Sequence, residues 1–248
     1  MAKSYFEQKC RICGCDWNHA CNDRDYWFAE DLCSACAEKM RPILFNTSMV
    51  QAILNGRKTT TRRVIKPPVE VHDCTDGIFV TRPIKVGGEY CRFAPYEPFQ
   101  TGDVLYVRET WGISNFDEGE STMTVQYKVD DTVSNVVLPP DKFQKYYDSM
   151  TGAEPDWHPS IFMPKEAARI FLRVKGVRVE RLYDITEDGA KAEGFNAMFY
   201  KGDIKDCPDM EYTAKDEFLL LFEETLGKKG PEICGGNPWV WVLLFERC

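Results

Sequence analysis

Six of the chain's eleven cysteines fall within its first 36 residues, at Cys10, Cys13, Cys15, Cys21, Cys33 and Cys36. A segment that short cannot bury a core of its own, so clustered thiols there must help to fold it. The opening MAKSYFEQKC has no apolar stretch of the kind a secretory leader needs, and this points to a reducing, cytoplasmic setting in which such thiols bind metal rather than form disulfides. Cys10-x-x-Cys13 and Cys33-x-x-Cys36 are two pairs separated by nineteen residues. Each pair can sit on a tight turn and give two sulfurs to one tetrahedral Zn2+. The expectation is a structural zinc site with ligands Cys10, Cys13, Cys33 and Cys36, in a knuckle over residues 1–40 that is unfolded without metal. Cys15 and Cys21, with His19, either form a second site or replace one member of that set, and an iron–sulfur centre is the lesser alternative. Trp17, Tyr26, Trp27 and Phe28 are expected to plug the space beneath the metal. Cys74, Cys91, Cys207, Cys234 and Cys248 have no ligand spacing.

After the knuckle the charge pattern changes. The chain carries a net charge of −8, yet residues 41–69 hold Arg41, Arg57, Lys58, Arg62, Arg63 and Lys66 and no Asp or Glu. A cationic island in an acidic protein, interleaved here with threonines, suits phosphate or nucleobase chemistry, although a basic run is more often a solvated loop. The acidic total weighs against tight, sequence-independent binding to long DNA. No apolar run approaches the roughly 20 residues of a membrane span.

Residues 41–248 read as an α+β domain. Ile43-Leu-Phe45 is a short strand, and Thr47 or Ser48 caps a helix that Asn55-Gly56 ends, so the dense part of the basic island is expected in a loop. Residues 66–100 read as a long irregular insertion and 112–160 as a second, polar one. Val104 to Trp111, Thr124 to Val129, Ile170 to Leu182 and Trp239 to Phe245 are expected strands. Arg169, Arg173 and Lys175 give the third of these a basic face. Thr186 caps a helix over Glu187 to Glu193 ended by Gly194, and Thr213 with Asp216 starts another.

Three residues are candidates for chemistry. Arg57, Arg62 and Arg63 beside Lys58 disfavour its protonated form, which is how a lysine becomes a base near neutral pH. Thr61, three residues on, is placed to be activated or to bind substrate. Glu193 in the last turn of its helix meets the negative end of the dipole, which raises a carboxyl's pKa and suits proton transfer. Arg108, Glu109 and Trp111 end one strand, where a base can stack on the indole. The competing reading makes each of these a solvated or core-closing residue.

The runs Ile43-Leu-Phe45 with Ile53-Leu-Asn-Gly-Arg-Lys-Thr-Thr-Thr-Arg-Arg63, Gly102-Asp-Val-Leu-Tyr-Val-Arg-Glu-Thr-Trp111, Trp157-His-Pro-Ser-Ile-Phe-Met-Pro164, Asp184-Ile-Thr-Glu-Asp-Gly-Ala-Lys-Ala-Glu-Gly194 and Asn237-Pro-Trp-Val-Trp241 resemble, in order, the ASCH domain of the PUA-like superfamily. The likeness is greatest to its phage and prophage branch, whose members often carry an N-terminal Cys-rich knuckle. The resemblance implies a mixed β pseudo-barrel with flanking helices and a cleft for a nucleobase or RNA. Some small relatives are amidohydrolases that deacylate N4-acetylcytidine with a Lys, a Thr and a Glu, which fall here on Lys58, Thr61 and Glu193. Arg57, Arg62, Arg63, Arg108, Trp111, Arg169 and Arg173 are then the candidates for holding a nucleoside or nucleic acid. The implied partners are a nucleoside or RNA, with no membrane. A non-catalytic RNA-binding protein, a ribonuclease and a phage accessory factor that binds a phage or host protein are the alternatives.

Overall fold

The computed structural model describes residues 9–10, 12–16, 19, 21, 27–29, 32–75, 77–86, 89–119, 121–149, 155–200, 210–226 and 236–248. Trp17, Tyr26, Cys207 and Cys234 lie outside the described residues, as do the side chains of Trp27 and Cys91. In chain order the first elements are β1 (Trp27–Ala29), β2 (Leu32–Cys33), α1 (Ser34–Lys39), β3 (Arg41–Leu44), α2 (Thr47–Leu54), β4 (Thr60–Val64), β5 (Glu70–Cys74), β6 (Gly77–Val86) and β7 (Glu89–Pro95). Then come β8 (Val104–Arg108), β9 (Trp111–Asp117), β10 (Thr122–Tyr127), β11 (Val133–Val137), α3 (Pro140–Asp148), β12 (Asp156–His158) and β13 (Phe171–Arg181). The last are α4 (Glu187–Ala192), β14 (Met198–Tyr200), β15 (Met210–Tyr212), α5 (Ala214–Leu226) and β16 (Trp239–Arg247). The fold is α+β, strand-rich, and among the described residues no sheet closes into a barrel. No helix among them is long and apolar enough to cross a membrane. The chain divides into two compact units, residues 1–51, 103–173 and 247–248 in the first and 52–102 and 174–246 in the second.

In the first unit β3 runs parallel to β8, and β8 pairs antiparallel with the start of β13 through Phe171, Leu172 and Arg173. Residues 112–160, expected as a polar insertion, instead supply much of this unit's core. Trp111 and Ile113 on β9 alternate inward with Met123, Val125 and Tyr127 on β10, and Phe143 of α3 closes the cluster. That period-2 spacing is the strand signature that the intervening polar residues masked. Cys10, Leu32, Cys33, Ala37 and Met40 pack against Val104, Tyr106 and Phe171, so the cysteine-rich segment shares a hydrophobic core with β8 and β13. The cap of α2 is Asn46, not Thr47 or Ser48: its Oδ1 accepts from the Met49 N–H at 2.9 Å.

In the second unit residues 66–100, expected to be irregular, form the antiparallel meander β5–β6–β7. The β-branched and aromatic run Ile78-Phe-Val-Thr81 favours extended chain despite the nearby glycines and prolines. β4 pairs antiparallel with β16 from Val64↔Val240 to Thr60↔Leu244. Arg62 and Arg63 therefore lie on a strand and not in a loop. On one face of this ribbon Val240 and Val242 pack with Ala190 of α4 and with Ala214 and Phe218 of α5. The two helices are capped as their sequences imply. Thr186 Oγ1 accepts from Gly189 N at 3.0 Å, and Thr213 and Asp216 bond reciprocally at the start of α5. Glu187 of α4 also accepts from the Ala214 and Lys215 N–H groups, an anion seated on the N-terminus of α5.

Candidate active site and metal centre

Two turns of the second unit converge on one carboxylate. After α2 the Arg57 and Lys58 N–H groups both donate to Ala52 O, at 2.9 and 3.0 Å, and Thr59 N donates to Ala192 O at 2.8 Å. These bonds hold the backbone of residues 57–59 against the end of α4. There Glu193 is the C-cap, and Gly194, with φ +98°, closes the helix by donating to Lys191 O. Only glycine fits: a Cβ on residue 194 would sit 2.8 Å from Ala52 Cβ and 3.3 Å from Lys58 Cβ.

Lys58 Nζ donates to Glu193 Oε2 at 2.6 Å and to the Glu193 carbonyl at 2.9 Å. Arg62 Nη1 donates to the other carboxylate oxygen, Oε1, at 3.0 Å, while its Nε donates to Glu180 Oε1 at 2.8 Å. Arg178 Nε in turn donates to Glu180 Oε2 at 3.0 Å. The Lys58 side chain is 0% exposed and that of Glu193 2%. Burial pushes the Lys58 amine below the ordinary lysine range, Glu193 opposes the shift, and Arg63 and Arg62 add to it. Desolvation, which the sequence did not reveal, thus outweighs the neighbouring arginines.

Lys58 and Glu193, 135 positions apart, are brought into contact; Thr61 is not brought to them by any hydrogen bond among the described residues. Thr61 and Arg63 pair with Leu243 and Trp241, and Arg62 pairs with Val242. Directly opposed residues share a sheet face, so Thr61 projects from the face of β4 opposite to Arg62. Arg57 Nη1 donates to Gly194 O at 3.1 Å. A groove of about 620 Å³ in this unit is lined by Phe79, Tyr96, Phe99, Arg178 and Trp241 among others, and not by Lys58 or Glu193.

The remaining candidates lie in the first unit, with their donors turned inward. Arg169 grips Glu109 with Nε and Nη2 at 2.9 and 2.8 Å, pairs with Asp130 at 2.9 Å and lies 3.9 Å above the Tyr127 ring. Arg108 donates to Ile161 O at 3.0 Å and Arg173 to Ile12 O at 3.3 Å. Trp111 is fully buried, stacked on His158 at 4.8 Å, and offers no face to a base. Sequence reasoning missed Glu180; its signal was an acid at i+2 from Arg178 on the same strand.

Near the N-terminus the sulfurs of Cys10, Cys13, Cys15 and Cys33 all lie within 4.8 Å of one another, and no disulfide joins the described cysteines. Tetrahedral Zn–S bonds of about 2.3 Å place sulfurs about 3.8 Å apart, so this thiol set fits a metal ion. Cys15 takes the place that spacing assigned to Cys36. The turn explains it: Gly14 N donates to Cys10 O and Cys10 N to Cys15 O, both at 2.8 Å, which folds Cys15 back beside Cys10. Compared with protein-family models, curated proteins and solved structures, the chain matches none.

Proposed function

We propose that the second unit carries an amidohydrolase centre of the ASCH type, acting on the N-acyl group of an N4-acylated cytidine-type nucleoside. The observation that carries this reading is the water-shielded contact between Lys58 Nζ and Glu193 Oε2 at 2.6 Å. Burying two charges costs several kcal/mol each, and a lysine whose charged form is disfavoured can exchange its proton with the adjacent carboxylate. In the neutral arrangement the Lys58 amine accepts a proton from water as the water oxygen attacks the acyl carbon. The Glu193 carboxylic acid then protonates the exocyclic amine as the C–N bond breaks, and the proton on Lys58 returns to Glu193 through their hydrogen bond. Arg62, saturated by Glu193 and Glu180, positions the carboxylate and does not grip substrate. Water rather than Thr61 is the nucleophile, because Thr61 projects from the other strand face.

In the same reading the fold is of the PUA-like type, the thiol-bound metal is structural Zn2+, and the protein works in the cytoplasm. Since Lys58 is covered, substrate must open a path to it on binding. Free N4-acetylcytidine and acetylated RNA incubated with the purified chain, with acetate and cytidine quantified, provide the test. Turnover that falls by about 10²–10⁴ in Lys58→Ala and in Glu193→Gln is expected. No turnover of any acylated pyrimidine would sink the proposal, and RNA binding that weakens steeply with salt, without hydrolysis, would replace it.

A further inference from the structure

The four-sulfur set at the N-terminus does not exhaust the thiols there. Cys21 Sγ lies 3.3 Å from Cys13 Sγ and 4.0 Å from Cys33 Sγ, and those two lie 3.8 Å from each other. Cys36, three residues after Cys33, is partly buried against the same core cluster that holds Cys10 and Cys33. Five sulfurs are therefore grouped around a shared Cys13–Cys33 edge, those of Cys10, Cys15 and Cys21 beside it, and Cys36 packs against the adjoining core. One tetrahedral ion uses only four thiolates. A shared edge of 3.8 Å matches the sulfur–sulfur separation of about 3.8 Å that bonds of about 2.3 Å require, and thiolate sulfur has lone pairs enough to bridge two ions.

We propose that these residues form a two-metal, six-thiolate centre for Zn2+ or a similar thiophilic dication. Cys10 and Cys15 are terminal ligands of one ion, Cys21 and Cys36 of the other, and Cys13 and Cys33 bridge them. Two dications on six thiolates leave a residual negative charge, and the segments that carry the ligands are bound by cations. Arg173 donates to the carbonyl of Ile12, beside Cys13, and Lys165 to that of Ala37, beside Cys36. The bridging arrangement also accounts for both CxxC pairs and for Cys15 within one structure. Cys36, left out of the nearest quartet, becomes a ligand of the second ion.

The proposal is independent of any activity and is tested on the full chain by metal content. Expression with zinc, followed by elemental analysis and native mass spectrometry, should give two zinc ions per chain. Cys21→Ser should retain one, whereas Cys74→Ser, outside the cluster, should retain two. Titration of the metal-free wild type with Co2+ should saturate at two equivalents, with a lowered magnetic moment per ion from coupling through the bridges; this measurement needs no variant to fold. Saturation at one equivalent, unchanged zinc in Cys21→Ser, or iron with acid-labile sulfide would each overturn the two-metal centre.

Discussion

Among the described residues each unit buries one glutamate, and the two are held differently. Glu109 in the first unit and Glu193 in the second are 1% and 3% exposed. Glu109 receives both prongs of one guanidinium, that of Arg169, which in turn lies over Tyr127. An arginine does not give up its proton at any pH a protein survives, so this pair is a fixed brace between β8 and the start of β13. Glu193 divides its oxygens between Arg62, equally fixed, and Lys58, whose charged form burial disfavours. Similar burial therefore leaves one carboxylate on a cation that keeps its proton and the other on a lysine whose charged form is disfavoured. The basis of the difference is the partner's chemistry, and it is open to attack at either carboxylate.

The largest effect is expected from Lys58→Met. It leaves Glu193 buried with one cation instead of two and should lower the unfolding free energy by about 3–5 kcal/mol, read by urea denaturation. Adding Glu193→Gln should restore at least 1 kcal/mol of that loss, because the uncompensated charge is gone. If the double variant is as unstable as the two single losses added together, the two side chains are not coupled and the contrast with Glu109 fails. Next comes Gly194→Ala, at about 3 kcal/mol, since the new Cβ meets Ala52 at 2.8 Å and needs a left-handed backbone. It should also displace Glu193 from Lys58. Arg169→Lys replaces a two-pronged grip with a point charge and should cost about 1–2 kcal/mol. A loss there as large as for Lys58→Met would erase the distinction between strut and exchanging pair.

The sequence made the parts of this contrast visible to different degrees. Capping residues act locally, so Thr186, Gly194 and the Thr213–Asp216 pair located α4 and the start of α5. Lys58 and Glu193 were both identifiable as candidates, and their contact is consistent with the pairing that the resemblance implied. What was not readable was orientation. Only the register of β4 against β16 sends Thr61 to one face and Arg62 to the other, and register is a property of two strands far apart in sequence. Arg169 and Arg173 looked like a solvent-facing basic stripe because their acceptors, Glu109 and Ile12 O, come from remote segments. The meander β5–β7 was hidden by its glycines and prolines, and the core of residues 112–160 by its polar spacing residues.

The smallest predicted effect is in the pH dependence of stability, where the two carboxylate sites act in opposite directions. The folded-state pKa of Lys58 lies below its ordinary value of 10.5. Between the two values the unfolded chain binds more protons than the folded one, so stability rises with pH through that window and is lost again as pH falls. Burial raises Glu109 above its ordinary 4.5, with Arg169 opposing. There the folded chain holds more protons, so its contribution is fully present below pH 4.5 and is lost as pH rises through the folded value. Urea unfolding from pH 4 to 10 should therefore give a lower slope of stability against pH on the alkaline side for Lys58→Met than for wild type, and a higher slope on the acid side for Glu109→Gln. Each difference should stay under the roughly 1.4 kcal/mol per pH unit that one whole proton allows. An alkaline limb unchanged by Lys58→Met would mean that Lys58 holds its proton in the fold as firmly as in water. The pair with Glu193 would then be a second strut, and the proton-exchange mechanism would lose its base.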